Sequence, residues 1–258
     1  MNSTAPSPTP PEEEGPCGDW TYHEWAEASS TNDLARSLPP RHIAVCRVQK
    51  SGRGRFNRKW VGEEGGLWAS FNVPLDTPAD AADGVDWGHL PLVAGLALLS
   101  MLRGMGLDSV RLRWPNDLLA GKSKLAGILV ERPAAYMAVI GIGINIFNDV
   151  AGIAGMVQDP PARLADLVPD CPSIHEVMAS LGSHLNRVFT AFSKGGIPAI
   201  RDSLAEAWAE PRPVTIATDD EMIHGIFTGI DDQGNPVLSL PTGRRTIPAH
   251  LVNRLTEK

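Results

Sequence analysis

Two segments decide the fold of this chain, Arg113-Trp114-Pro115-Asn116-Asp117 and Lys124-Leu125-Ala126-Gly127-Ile128-Leu129-Val130-Glu131. Pro115 restricts the residue before it to extended backbone, which predicts a short strand over residues 110–114 that stops at the proline. The second segment is almost wholly apolar, and with residues 137–144 it predicts two paired strands.

The polar residues in and beside these strands are candidates for ligand contacts. Lys124 opens an apolar strand, and a buried ammonium group needs a negative partner such as a ligand carboxylate or phosphate. The alternative is a lysine at a strand edge that reaches water. Asn116 and Asp117 follow a strand end, although taken alone they are explained more simply by an Asx turn. Gly127 permits close approach at mid-strand, and the later strand ends on Asn145.

Upstream, a strand predicted over residues 42–49 leads into Gly52-Arg53-Gly54-Arg55-Phe56-Asn57-Arg58-Lys59-Trp60. A dinucleotide fingerprint would need glycine at Asn57 and a following helix, so this stretch is not one. Its three arginines and one lysine within seven residues suit a loop that wraps an anion. A solvated basic loop is the equally weighted alternative. Ser30-Thr31-Asn32-Asp33 is typical of a helix start.

The rest of the chain divides into an α+β part and a small all-β part. Residues 67–73 predict a strand, and helices are predicted over residues 90–102, 174–192 and 197–208 from apolar content, length and spacing. After residue 210, short β-type runs alternate with turn sequences, which suggests a small barrel. We therefore expect a disordered Pro/Glu-rich tail over residues 1–18, a main domain over 19–209 and a β domain over 210–258.

Composition excludes several classes of protein. The net charge of -7 makes broad nucleic-acid binding a poor hypothesis. The three cysteines have no zinc-ligand or CxxC spacing, so we expect a reducing compartment and no disulfide framework. Cys46 lies in an apolar stretch and is interpreted as a small buried hydrophobe. With no signal-like or membrane-spanning run in the sequence, a cytoplasmic location is expected.

The order and spacing of four blocks resolve the individual ambiguities. SSTN, then Gln49 with GRGRFNRKW, then RWPND to KLAGILVE, then GIGINI resemble the biotin–protein ligase family over residues 28–145, and more loosely beyond. The resemblance implies an α+β fold, with a class II synthetase-like catalytic domain of the biotin–lipoate ligase type and a C-terminal SH3-like β-barrel. One departure is Asn57, where the family usually has glycine. Asparagine tolerates left-handed backbone, so we expect the loop to be retained with altered ordering.

The resemblance also implies roles for individual residues. Lys124, Arg53 and Arg55 are the expected catalytic residues. The expected biotin contacts are Ser30, Thr31, Asn32, Gln49, Gly52, Arg53, Gly54, Arg55, Lys124 and Gly127. The expected contacts to ATP or the adenylate are Arg55, Arg58, Trp60, Asn116, Lys124 and Asn145. No metal ligand is identified by number.

The implied reaction uses biotin, ATP and Mg²⁺ to make biotinyl-5′-AMP, and then transfers biotin to a lysine of a carboxylase carrier domain. The resemblance is to the monofunctional type, because no helix-turn-helix segment precedes the ligase blocks, so specific DNA binding by a biotin-responsive repressor is not expected. A lipoate–protein ligase is a rival, but the GRGR loop replaces its Arg-Arg…Gly-Gly-Gly segment. A catalytically inactive binding protein is a third alternative, disfavoured by the retained cations. A homodimer is compatible with the family.

Overall fold

A nine-stranded sheet forms the centre of the molecule in the computed structural model, which describes residues 10–76, 86–152, 159–208 and 210–257. Its strands are β1 (Glu13–Cys17), β2 (Trp20–Ala28), β3 (His42–Arg53), β4 (Lys59–Gly62), β5 (Leu67–Pro74), β6 (Val110–Arg113), β7 (Asp117–Ala120), β8 (Ser123–Ala134) and β9 (Met137–Ile144). The order is β1-β2-β3-β5-β9-β8-β7-β6, and β4 pairs with β3. Only the β2–β3 pair is parallel among these described strands. The expected pairing of the strand after Lys124 with the strand ending at Ile144 is confirmed.

The two faces of the sheet bury different helices. Alternate residues of a strand point to opposite faces, so Ile43 and Val45 join the large core under α2 (Leu90–Gly104) and α3 (Ile174–Ala207). Ala44 and Cys46 join a smaller cluster under α1 (Thr31–Ala35). The interpretation of Cys46 as a buried small side chain is confirmed, and burial raises the pKa of its thiol to about 12.

The predicted helices are present, but the two expected after residue 173 form one kinked helix. The capping box of Ser173 and Glu176 starts α3, and its last turn ends at Ala207. The two helices expected in this region are joined within α3 by Gly196, whose backbone is non-helical (φ 60°, ψ −152°). Glycine adopts that conformation without a Cβ clash, so it changes the direction of the chain between the two helical parts.

The C-terminal part is a five-stranded antiparallel sheet. Its strands are β10 (Arg212–Ala217), β11 (Met222–Ile230), β12 (Pro236–Leu240), β13 (Gly243–Thr246) and β14 (Arg254–Glu257). They pair in the order β13-β12-β11-β10-β14. The small β domain expected after residue 210 is therefore present, and its pairings form a path with β13 and β14 at the two ends.

The expected disordered tail over residues 1–18 is wrong for its second half. Glu13–Cys17 form β1, which pairs antiparallel with β2. Composition predicts disorder here because the stretch contains few apolar residues. The strand forms nevertheless, because the edge of β2 supplies backbone hydrogen bonds. Tyr22 also donates a side-chain hydrogen bond to Glu13. Cys17 is buried against the main core. Residues 1–9 of the expected tail lie outside the described residues.

Buried ion pairs fasten the C-terminal sheet to the main one. Glu257 of β14 accepts hydrogen bonds from Arg111 of β6 and from Arg212 of β10. Burial works against the charged carboxylate, but the two guanidinium groups outweigh it and lower the pKa of Glu257. The turn between β11 and β12 adds a second contact, because the indole N–H of Trp114 donates to Gly234 O at 3.1 Å.

Replacing Glu257→Gln should destabilise the protein, because Arg111 and Arg212 would remain largely buried without their carboxylate. Removing one partner of a buried pair costs ~3 kcal/mol, which lowers Tm by roughly 6–12 °C in a chain of this size. Differential scanning calorimetry measures this. Since the pKa of Glu257 is lowered by folding, its stabilisation is present above the unfolded pKa of about 4.3 and is lost as pH falls through the folded value. The gap between wild type and variant should therefore narrow in acid.

The matched control is Glu221→Gln, which breaks an exposed pair with Arg245. Solvent screens such a pair, so its Tm should equal that of the wild type. Equal Tm values for all three proteins at neutral pH would contradict the anchoring role of Glu257.

Candidate active site

A cavity of about 390 Å³ opens where β3, β4, β7, β8 and β9 meet the C-terminal sheet. Its wall contains the start of α1, the arginine-rich segment and residues of both sequence-defining segments. Asn253, Arg254, Leu255 and Thr256 complete it from the C-terminal part of the chain. The cavity therefore joins elements that the sequence analysis singled out with one region that it did not.

The α1 end of the cavity is a network of polar side chains. The backbone N–H and the hydroxyl of Thr31 both lie within hydrogen-bonding distance of Gln49 Oε1, at 2.9 and 3.2 Å. The Ser70 hydroxyl lies 2.7 Å from Thr31 Oγ1 and 2.6 Å from Asn32 Oδ1. Asn32 Nδ2 donates to Glu131 at 2.7 Å. Ser30 is the N-cap residue as expected, but its hydroxyl makes no capping bond. These side chains are thus held by one another.

Glycines in the floor and wall make room for these side chains. A Cβ at Gly141 would overlap Asn32 Oδ1, and one at Gly52 would overlap the amide of Gln49. A Cβ at Gly143 would stand 2.7 Å from Trp60 Nε1, and one at Gly127 would stand 2.9 Å from the same indole ring. At Gly127 the close approach observed is that of the Trp60 ring, and the glycine also lines the cavity. Gly52 is the one expected site residue that shapes the cavity without lining it.

Among the described residues, the arginine-rich segment contains one arginine that pairs with a carboxylate and two that do not. Arg53 forms a two-point ion pair with Asp33, at 2.7 and 3.0 Å, which raises the pKa of Arg53 and lowers that of Asp33. Arg55 donates to Val252 O at 3.3 Å, and burial lowers its pKa. Within the described ranges, neither Arg55 nor Arg58 pairs with a carboxylate. These two guanidinium groups are therefore free to meet an anion.

The left-handed residue of this segment is Phe56, at φ 56°. Its exposed ring lies 5.0 Å from the guanidinium carbon of Arg55 and 5.9 Å from that of Arg58. Cation–π contact of this kind favours a guanidinium near the ring face. The ring therefore helps to hold the two unpaired arginines at the cavity.

Lys124 has a negative partner within the protein. Its Nζ lies 2.6 Å from Asp117 Oδ1 and 5.1 Å from the centroid of the Trp60 ring. The alternative of a lysine that only reaches for water is therefore wrong, because the side chain is three-quarters buried and turned into the cavity. Its backbone is held by Pro160 O, which accepts from Lys124 N at 2.6 Å, and by Ala162 N, which donates to Lys124 O at 2.9 Å.

A second basic side chain, Arg113, lies behind Asp117. It donates to Asp117 Oδ2 at 2.7 Å and to both oxygens of Asp159 at 2.8 and 2.6 Å. Burial disfavours its charge, but the two carboxylates outweigh burial and raise the pKa of Arg113. Asp159 has a lowered pKa because of the same hydrogen bonds. Asp117 thus sits between two cations, one on each oxygen.

The cavity brings together most of the residues expected from the sequence. The expected residues that line it are Ser30, Thr31, Asn32, Gln49, Arg53, Gly54, Arg55, Arg58, Trp60, Asn116, Lys124, Gly127 and Asn145. Asn116 Nδ2 donates to Ile128 O at 2.8 Å, and Asn145 helps to position the backbone of Lys124 from 3.5 Å. Sequence analysis missed Asp159 and Arg254, which follow no motif. Within the described part of the chain, no three His, Cys, Asp or Glu side chains group as metal ligands.

Comparison with known proteins places this geometry in a family. The model of the biotin/lipoate A/B protein ligase family matches residues 17–145, and that of the biotin protein ligase C-terminal domain matches residues 212–249. The chain is 33% identical to a biotin–[acetyl-CoA-carboxylase] ligase of Paracoccus denitrificans, over 87% of this chain and 96% of that protein.

This chain belongs to the biotin protein ligase family. A second relative, from Mycobacterium tuberculosis, bears the same ligase name and is 31% identical over 86% of this chain and 84% of its own length. The biotin protein ligase of Aquifex aeolicus, solved in complex with biotin and ATP, shares the fold with a TM-score of 0.79 at 22% identity, covering 92% of this chain and 99% of that one. No helix in the described ranges is long and apolar enough to cross a bilayer.

The matched motifs predict that biotin binds at the polar network of α1. Replacing Gly141→Ala should then weaken that binding, because the added methyl group overlaps Asn32 Oδ1 and displaces the network. We expect the Kd for biotin, measured by isothermal titration calorimetry, to rise at least about tenfold, equivalent to ~1.4 kcal/mol.

Gly104→Ala is the control, since a Cβ at this position at the end of α2 meets nothing within 4 Å. Its Kd should match that of the wild type. An unchanged Kd in the Gly141 variant would show that the Asn32 network does not shape the biotin site.

Proposed function

We propose that this protein is an ATP-dependent biotin–protein ligase that activates biotin to biotinyl-5′-AMP and transfers it to a lysine of a carboxylase carrier domain. The observation that carries the proposal is one cavity with a polar end at α1 and a cationic end at Lys124, Arg55 and Arg58, in a chain of this family. Biotin has a polar ureido ring at one end and a carboxylate at the other. The two ends of the cavity match those two chemical characters.

The α1 end is proposed to bind the ureido ring. Amide and hydroxyl groups are supplied there by Ser30, Thr31, Asn32 and Gln49. Because Gly52 has no side chain, it leaves space for the Gln49 amide. Trp60 lies over the strand glycines between the two ends, and its Nε1 is buried without a hydrogen-bond partner among the described residues. A buried donor without a partner favours a ligand acceptor, since an unmade hydrogen bond costs ~1–3 kcal/mol.

The other end is proposed to hold the carboxylate and the phosphates. Arg55 and Arg58 carry charges without a carboxylate partner in the described ranges, and Lys124 adds a third positive group. Arg53 and Gly54 are also proposed to contact biotin. Because Arg53 is paired with Asp33, it contributes less positive charge to the cavity than Arg55 or Arg58 does. Asn116, Asn145 and Trp60 are proposed for the nucleotide side, where Arg254 also lies.

The proposed chemistry follows from charge. A biotin carboxylate oxygen attacks the α-phosphorus of ATP, the bond from that phosphorus to the bridging oxygen breaks, and pyrophosphate leaves. Both reactants are anions, so Lys124 and Arg55 lower their mutual repulsion and hold them in line. The amine of the acceptor lysine then attacks the biotinyl carbonyl, loses a proton, and AMP departs with the electrons of the broken C–O bond.

Mg²⁺ is part of the proposal only as the ion that accompanies ATP. The two carboxylates near the cationic end, Asp117 and Asp159, are both engaged by Lys124 or Arg113. Those residues do not form a magnesium site of their own. Magnesium commonly keeps most of its waters and binds substrate phosphates, which fits a site of this kind.

Lipoate activation is the alternative within the same family model, whose description covers both cofactors. The biotin-named relatives at 33% and 31% identity favour biotin. Incubation of the protein with ATP, Mg²⁺ and a carrier domain, with biotin or lipoate in parallel, separates the two by mass spectrometry. A mass increase with biotin alone supports the proposal, and an increase with lipoate alone refutes it. A cytoplasmic location completes the proposal, and a homodimer is compatible with the family.

Lys124→Ala should reduce adenylate formation by ~10²–10³ in rate, the usual loss when one preorganised charge is removed. Biotin-dependent exchange of labelled pyrophosphate into ATP measures that step. Lys122→Ala is the matched control, because Lys122 is a neighbouring but exposed lysine, and its rate should not change. A wild-type exchange rate in the Lys124 variant would remove Lys124 from the proposed chemistry.

A further inference from the structure

Four alternating charges lie next to one another in the wall of the cavity. Asp159 binds Arg113, Arg113 binds Asp117, and Asp117 binds Lys124, through contacts between 2.6 and 2.8 Å. The side chain of Arg113 is 8% exposed and that of Asp117 is 16% exposed. Each of these side chains is held by its neighbours, and the series ends at Lys124, which the proposed reaction uses.

We propose that Asp159 is a positioning residue for adenylate formation, which keeps Asp117 on Lys124 by occupying Arg113. The proposal rests on the function proposed above and adds a residue that no sequence motif marks.

The geometry of the guanidinium group explains the effect. Arg113 presents two parallel N–H groups to the two oxygens of Asp159 and gives Asp117 one hydrogen bond, to Oδ2. Asp117 Oδ1 is therefore left for Lys124 Nζ. A guanidinium fork prefers two-point contact with a carboxylate. If Asp159 lost its charge, the fork would turn to both oxygens of Asp117 and draw Oδ1 away from Lys124.

Backbone contacts next to Asp159 act on the same lysine. Pro160 O accepts from Lys124 N, Ala162 N donates to Lys124 O, and Pro161 forms a bridge with Lys124. The segment that Asp159 anchors to Arg113 is therefore also the segment that holds the Lys124 main chain. Both the backbone and the side chain of Lys124 depend on where Asp159 lies.

Loss of the Asp159 charge should affect ATP binding and turnover differently. Asp159, Arg254 and Arg58 all lie in the cavity wall. The pKa of Asp159 is lowered mainly by its hydrogen bonds with Arg113, and the charge of Arg254 contributes. Removing the Asp159 charge makes this wall more positive, which favours binding of the ATP phosphates. At the same time Lys124 loses its position, and a displacement of ~1 Å can cost ~10²-fold in rate. Turnover should therefore fall while ATP binding is maintained or improved.

The test is Asp159→Asn, measured by biotin-dependent pyrophosphate exchange on the full chain. We expect kcat to fall roughly tenfold to a hundredfold while KM for ATP does not rise. Asp159→Glu keeps the charge and should recover at least half of the lost kcat. The matched control is Asp166→Asn, because Asp166 forms a similar two-point pair with Arg163, but on the surface. Its kcat and KM should equal those of the wild type.

A double variant distinguishes positioning from general damage. If Asp159 acts through Lys124, adding Asp159→Asn to Lys124→Ala should cause no further loss, since residues that act as a unit are not additive. Wild-type kcat in Asp159→Asn, a rise in KM for ATP as large as the fall in kcat, or additive losses in the double variant would overturn the inference. Absence of exchange in the wild type would instead refute the proposed function itself.

Discussion

A site that holds two anions side by side must gather cations, and gathered cations repel one another. Two like charges 4 Å apart cost about 4 kcal/mol at an effective dielectric constant of ~20. The fold reduces this repulsion by placing a carboxylate against two of the cations, Asp33 against Arg53 and Asp117 against Lys124. Arg55 and Arg58 have no carboxylate partner among the described residues, and they are the groups proposed to attract the phosphates. Ion pairing therefore separates the cations that a carboxylate already contacts from those whose charge is not compensated.

The second constraint is space, because every fixed polar side chain needs a volume that no other atom fills. The glycines of the central strands provide that volume to side chains of the protein itself. Gly141 admits Asn32, and Gly127 with Gly143 admits the ring of Trp60. Side chains held in this way by other protein atoms have little freedom left to lose, which lowers the entropic cost of binding a ligand.

Sequence patterns predicted the parts of the molecule that depend on neighbours along the chain. The apolar run in α2 and the paired strands after Lys124 were found because apolar content and length are properties of a single stretch of sequence. Glu13–Cys17 were missed because the strand depends on the edge of β2 and not on its own composition. The same reason hid Asp159, whose partner Arg113 lies 46 positions away. The ligase motifs identified most of the cavity wall, whereas ion pairing between distant segments left no trace in any single stretch.

Contacts that join the cavity region to the C-terminal part of the chain span great distances in sequence. Arg55 bonds to Val252 across 197 positions, and Trp114 to Gly234 across 120. Closing such long loops is slow compared with forming local hairpins, and chains fold from the N-terminus during synthesis. The polar network at α1 uses residues only up to Gly141, whereas Asn253, Arg254, Leu255 and Thr256 complete the cavity wall. During synthesis, the C-terminal wall is therefore the last part of the cavity to become available.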